Sequence, residues 1–208
     1  MINSKNEIRI HGDVAYIKLG GRGGFYVATV SADKVALVAP YRWYVQIHPK
    51  RKTLYGMAVI PGPKKSRKYV LLHRLVCGIK DPGIQIDHES GNGIDCLDSN
   101  LRIATNQQNN QNKGLLRTNT SGFIGVSVHK RLRKKFRALL TVKDRMHHGG
   151  FHDTAIEAAK ARDVLALRLQ DPRFVRLNFP ALRDADPEYI AAASRAAMAE
   201  SAISGVGR

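Results

Sequence analysis

The chain has 208 residues, enough for one large or two small domains, and its 43 % hydrophobic content is ordinary for a folded protein. Lys and Arg total 34 against 17 acidic residues, a formal net charge of +17, and that balance points to a polyanionic partner, nucleic acid ahead of a membrane surface. No apolar run reaches the ~18 residues of a membrane span, the opening MINSKNEIRI lacks a signal-peptide core, and Cys77 and Cys96 form neither a CxxC zinc knuckle nor a disulfide framework.

These observations give the expectation of a cytoplasmic, non-secreted protein with no membrane partner and two thiols kept reduced. In chain order, residues 1–70 read as a β-rich region. Tyr16–Leu19, Phe25–Val30 and Trp43–Ile47 are short β-branched or aromatic runs, broken by glycines at 20–24 and by Pro40. Trp43 reads as a core residue. PGPKKSRK at 61–68 combines turn residues with a charge run and reads as an exposed loop.

Residues 71–113 hold the densest chemistry. LLHRLVCGI (71–79) has a short helical pattern and ends at Asp81-Pro82-Gly83. IQIDHES (84–90) alternates like a strand and meets Gly91-Asn92-Gly93, a hairpin signal. LDSNLRIAT (97–105) resumes extended or loop structure, and Asn106–Lys113 reads as a short helix. Asp87 and His88 end the strand, with Asn100 twelve and Asn109 twenty-one residues beyond His88. Strand, hairpin, strand and helix in that order would fold Asn109 back beside Asp87.

Hydrolysing a phosphodiester needs a water deprotonated near neutral pH, and histidine is the side chain whose pKa suits that task. It also needs positive charge against the developing phosphorane and the leaving 3′-oxygen, which a divalent ion supplies. One carboxylate and one amide oxygen, from Asp87 and Asn109, with water and phosphate completing the shell, suit Mg²⁺ or Mn²⁺. Asn100 would either hold the loop or orient the His88 ring. Asn106, Asn110 and Asn112 on the same helix read as solvated.

The run HRLVCGI…IQIDHESGNGIDCLDSNLRIATNQQNNQNK resembles the HNH endonucleases of phages and mobile introns, the homing-endonuclease branch with a ββα-metal centre. The resemblance implies His88 as general base, Asp87 and Asn109 as ligands to one Mg²⁺ (or Mn²⁺) per active site, and Asn100 as the middle Asn of the motif, with no structural zinc and no small-molecule cofactor. His73 and Arg74 match the family's upstream His-Arg and read as structural or as a phosphate contact. Residues 1–70 are similar to the β-rich leader of such phage proteins.

Residues 114–120 (GLLRTNT) read as a linker, and 121–180 as a second compact unit. Ile124, Val126 and Val128 alternate with Gly125, Ser127 and His129, and Phe136, Ala138, Leu140 and Val142 alternate with Arg137, Leu139, Thr141 and Lys143, two period-2 strands with one apolar face each. Met146–Phe151 would be a third strand. Thr154 and Glu157 make a capping box for a helix stopped at Asp171-Pro172, with Ala155, Ala158, Ala161, Leu165 and Leu169 along one face. Ten basic residues and one acid between 111 and 148 predict DNA contact through Ser127, His129, Lys130, Arg131, Arg133, Lys135, Arg137, Thr141, Lys143 and Arg145. SGFIGV (121–126), KKFRA (134–138), GGF (149–151), EAAKARDVLAL (157–167) and LNFP (177–180) resemble an AP2 DNA-binding domain, with Phe136 in place of the family's Trp. The resemblance implies a three-stranded sheet on one helix, closed by Asn178.

The sequence therefore predicts an α+β protein. A β-rich N-terminal region leads into an HNH nuclease core at 71–113. An AP2-like three-stranded antiparallel sheet packed on one helix follows at 121–180, and a helical or frayed tail at 181–208. The expected activity is metal-dependent hydrolysis of duplex DNA by a monomer or weak dimer. The rival is a DNA-binding regulator carrying an inactive nuclease remnant.

Overall fold

The computed structural model describes residues 5–21, 25–47, 53–60, 68–116, 118–129 and 136–185. The fold is mixed α+β, with four small sheets and a few helices among the described residues, and divides into two units, Met1–Asn109 and Asn110–Arg208. Among the described residues no helix is long and apolar enough to cross a membrane.

In the first unit, β1 (Ile8–His11), β2 (Val14–Leu19) and β3 (Tyr26–Ser31) form an antiparallel meander. Alternation along β2 buries Ala15, Ile17 and Leu19 on one face, joined by Ala28 and Val30 from β3. A short helix α1 (Val35–Val38) leads to a second antiparallel sheet of β4 (Trp43–Ile47), β5 (Leu54–Ile60) and β6 (Lys68–Leu71). Trp43 is buried, as its sequence context predicts, and its indole N–H donates to the Val38 carbonyl at 2.9 Å.

The chain continues directly into α2 (Leu72–Val76), then β7 (Gln85–His88), β8 (Asp95–Cys96), β9 (Leu101–Ala104) and α3 (Asn106–Gln111). The boundary expected at residue 70 does not interrupt the core. Leu72, Val76 and Cys96 share one apolar cluster with Ala15, Val30, Val38 and Trp43. A forty-residue segment of this kind has too little surface to bury for a core of its own, so it completes its packing on the upstream strands. The hairpin expected at Gly91-Asn92-Gly93 is also corrected. β7 pairs with β9 across the long loop 89–100, and that loop contributes β8, which runs parallel to β3 through Thr29↔Asp95 and Val30↔Cys96. Thr29 Oγ1 donates to Asp95 Oδ1 at 2.8 Å, pinning the same junction.

The second unit holds β10 (Val126–Val128), β11 (Phe136–Val142) and β12 (Arg145–His152) in one antiparallel sheet, with α4 (Ala155–Leu169) against it. The expected capping box is present: Glu157 N donates to Thr154 Oγ1 and Thr154 N to Glu157 Oε2, both at 3.2 Å. The buried stripe of α4 differs from the expected one, running through Ala158, Ala159, Arg162, Leu165 and Ala166 while Ala155, Ala161 and Leu169 are half-buried. Asp163, fully buried, accepts from Arg162 Nη1 (3.0 Å), Asn178 Nδ2 (3.0 Å) and Phe179 N (2.8 Å). Asn178 also brackets Ile124, accepting from its N–H at 2.7 Å and donating to its carbonyl at 3.1 Å, so it closes the unit as expected. Gly125 has φ +69°, and a Cβ there would run into the Leu139 carbonyl and the Arg162 side chain, so only glycine fits.

The stretch expected to be a linker is partly built into this unit: Asn119 Nδ2 donates to the Phe123 carbonyl at 2.8 Å, and its Oδ1 accepts from Gly122 N at 2.8 Å. A 3-10 turn covers Pro180–Asp184, and the expected helical tail beyond it lies outside the described residues.

Candidate active site

Gln85 and Asp87 point to one face of β7, because alternate residues of a strand share a face. Arg102 stands directly opposite Asp87 on β9 and donates to its Oδ2 from Nε at 2.9 Å, with Nη2 at 2.7 Å. The Asp87 side chain is only 4 % exposed, so this fork replaces much of the hydration that burial removes. Asn109, from α3, donates through Nδ2 to Gln85 Oε1 at 2.9 Å, and Gln85 Nε2 in turn donates to Asn106 Oδ1. Gln85 and Asp87 are separated by roughly 6.6 Å of strand, so Asn109 comes to the Asp87 side of β7. Among the described residues no group of three His, Cys, Asp or Glu side chains gathers to hold a metal. The oxygen donors at hand for a hard cation are the Asp87 carboxylate and the Asn109 amide.

His88 follows on the other face of the strand and enters an aromatic cluster. Its ring lies 5.0 Å from that of His73 in a T-shaped contact, at 81° between planes, and 5.9 Å from Tyr55. Tyr55 lies 5.6 Å from His73, closing the triangle. All three spacings fall in the range of favourable aromatic pairs. Burial holds the His88 imidazole below its ordinary pKa, against the upward pull of the Asp87 and Asp95 carboxylates. Burial, then the neighbouring charges of His88 and Arg74, push His73 down to about 3. Both rings are therefore neutral at pH 7.

Asn100 is the staple of the loop between β7 and β9. Its Oδ1 accepts from Ser90 N at 2.8 Å and its Nδ2 donates to the Asp95 carbonyl at 2.7 Å, while its own carbonyl accepts from Glu89 N at 2.9 Å. Of the two roles open to it, the geometry corresponds to holding the loop. The Arg74 guanidinium donates to the carbonyls of Asp81 and of Ile84, the latter at 3.0 Å, and so staples the turn after α2. His73 is buried against His88.

The second unit presents a mixed face. Ser127 pairs with Arg137, and Arg137 with Phe151; Thr141 continues that face and is exposed. Leu139, Met146, His148 and Phe151 share it by register, and Met146 is 60 % exposed, so the described part of this face sets apolar side chains beside Arg137. His129 follows β10 and packs edge-on against Phe151 at 5.8 Å. One expectation is corrected. Lys143 is not a strand residue: with Asp144 it forms the turn between β11 and β12, at φ 48° and 60°. Arg145 pairs with Val142 and belongs to the helix-facing side, at its exposed end. Lys130, Arg131, Arg133 and Lys135 lie outside the described residues.

Sequence reasoning missed Tyr55, Arg102 and Gln85. Arg102 had a signal in its register opposite Asp87, legible only once the loop length was known. Tyr55 had none.

No family model matches the chain, and no solved structure matches it. Over 101 residues it is 36 % identical to a protein of Acanthamoeba polyphaga mimivirus named an uncharacterized HNH endonuclease, an alignment that takes in 48 % of this chain and 50 % of that one. The chain thus spans about half the length of that relative. It is also 31 % identical over 85 residues to Protein 3.8 of Escherichia phage T7, covering 41 % of this chain and 69 % of the phage protein. The chain belongs to the family of that phage protein.

Proposed function

We propose that the chain is an HNH-type DNA endonuclease in which His88 is the general base and Asp87 and Asn109 hold one Mg²⁺ or Mn²⁺. The likeness to the mimivirus HNH endonuclease supports a nuclease in general. The observation that carries the finer reading is that Asn109 bonds Gln85 on the face of β7 that also carries Asp87, with a buried, neutral imidazole at the strand's end. Two hard oxygen donors, one anionic, fit a small hard divalent cation. When bound, the ion supplies Lewis-acid stabilisation of the phosphate and the leaving oxygen. His88 takes the proton from the attacking water, and Asn100 keeps the loop behind it in register. The sheet of β10–β12 on α4, with Arg137, Ser127 and Thr141 outward, is an AP2-like module that binds duplex DNA, in keeping with the +17 charge of the chain.

One observation favours the second reading, a DNA-binding regulator with an inactive nuclease remnant: Arg102 already neutralises Asp87 at Oδ2. A plasmid-nicking assay in Mg²⁺ and in EDTA separates the two. The nuclease reading expects nicking by the wild type in Mg²⁺ alone and a loss of ~10²–10⁴ in His88→Ala. Equal inertness of both proteins, each still binding DNA, overturns it.

A further inference from the structure

We infer that Tyr55, on β5 and far upstream of the nuclease segment, is a positioning residue for the catalytic histidine and acts on it together with His73. The inference rests on the nuclease reading, since it concerns how the general base is aimed. A base must keep its nitrogen within hydrogen-bond reach of the attacking water, yet a histidine ring rotates about a broad, roughly two-fold torsion. Around His88 that rotation is limited by two rings on neighbouring elements, His73 of α2 at 5.0 Å and Tyr55 of β5 at 5.9 Å. These two brace each other at 5.6 Å, so neither can turn away without the other. His73 is itself 7 % exposed.

Tyr55 has a further close neighbour. Gly93, in the loop that follows His88, lies so near β5 that a Cβ there would collide with the Leu54 carbonyl and the Tyr55 ring. The ring thus lies close to both the loop after the base and the helix before it. Tyr55 lies on the same sheet face as Gln46, its cross-strand partner, which places the clamp on the sheet of β4–β6 rather than on β7 and β9. The contacts to His73 and His88 are made by the Tyr55 ring, and a phenyl ring can make them too.

The test is steady-state cleavage of plasmid DNA in Mg²⁺ by the full chain, with Tyr55→Phe, Tyr55→Leu and Tyr55→Met, each made in the wild type and in His88→Ala, and each checked for folding by circular dichroism. In the wild-type background Tyr55→Leu is expected to lower kcat roughly ten- to a hundredfold, with KM for DNA within about twofold, while Tyr55→Phe restores kcat. In His88→Ala the same substitutions are expected to change the residual rate little, because a residue acting through a missing ring has nothing left to aim. If Tyr55→Leu fails to fold, Tyr55→Met, closer in bulk, carries the comparison. Equal fractional losses in both backgrounds, a loss confined to KM, or full activity in folded Tyr55→Leu each overturns the inference while leaving the nuclease reading intact. A wild type that does not cut, or His88→Ala that cuts as well as wild type, overturns the nuclease reading and the inference with it.

Discussion

Arg102 grips one oxygen of Asp87, Oδ2, with two nitrogens at 2.9 and 2.7 Å from directly across the β7–β9 ladder. The same guanidinium reaches Glu89 at 3.4 Å, but Glu89 is exposed and that contact is worth little. The carboxylate of Asp87 is both the proposed cation ligand and half of a buried ion pair. Removing Arg102 takes this two-nitrogen grip away from a nearly buried carboxylate. Arg102→Ala is expected to cost about 3 kcal/mol of stability in urea unfolding. Added Mg²⁺ then raises the melting temperature of the variant more than that of the wild type. Equal magnesium shifts in both proteins would count against Asp87 as a ligand.

The imidazole pair makes stability pH-dependent, and the sign follows from linkage. His73 and His88 both bind protons less readily folded than unfolded. Below the unfolded value of about 6.5, the unfolded chain takes up protons that the folded chain refuses, so stability complete above that pH drains away as pH falls. For His73 the loss continues down to its folded value of about 3. Each group contributes a slope of roughly 1.4 kcal/mol per pH unit while it is protonated only in the unfolded state. Urea unfolding at pH 7.5, 6 and 5 measures the slope, and His73→Phe is expected to make it shallower.

In the second unit Asp163 is completely buried and serves three donors. Asp163→Ala takes the carboxylate away from the buried Arg162 guanidinium, which keeps its bond to the Arg176 carbonyl, and is expected to cost about 3 kcal/mol. Asp163→Asn keeps some acceptor capacity and costs less. Amide hydrogen exchange reads this locally: protection of Phe179 N–H should vanish in the alanine variant and persist in part in the asparagine one.

Arg137 lies on the outward face of β11 between Ser127 and Phe151. If it meets a phosphate, Arg137→Ala weakens binding alike across DNA sequences and reduces the slope of log K against log salt by about one. An unaltered slope removes that role, whatever happens to affinity.

The elements that could be read from the sequence are those whose signals are contiguous. Asp87-His88 at a strand end, the Leu101–Ala104 partner and the following helix lie within one short stretch, as do the alternating strands and capping box of the second unit. Contacts made by distant segments left no comparable trace. Pairing of Asp95 and Cys96 with Thr29 and Val30 joins residues more than sixty apart, and no local pattern in two residues announces it. Tyr55 reads as one more strand aromatic until His88 is packed against it. At Lys143 the alternating pattern runs one residue past the end of the strand. The turn there places Lys and Asp at positive φ, where glycine or asparagine is the usual marker.

The apolar cluster that joins Leu72, Val76 and Cys96 to Ala15, Val30 and Trp43 bears on how the proposed nuclease segment can travel between genes. A fragment of residues 71–113 alone would present those side chains to water and lose both the ring behind its histidine and the strand beneath its loop. Recombination that preserves the site has to carry the upstream strands along, so the portable block is the first 109 residues, and a chimaera joined at residue 70 should come out insoluble.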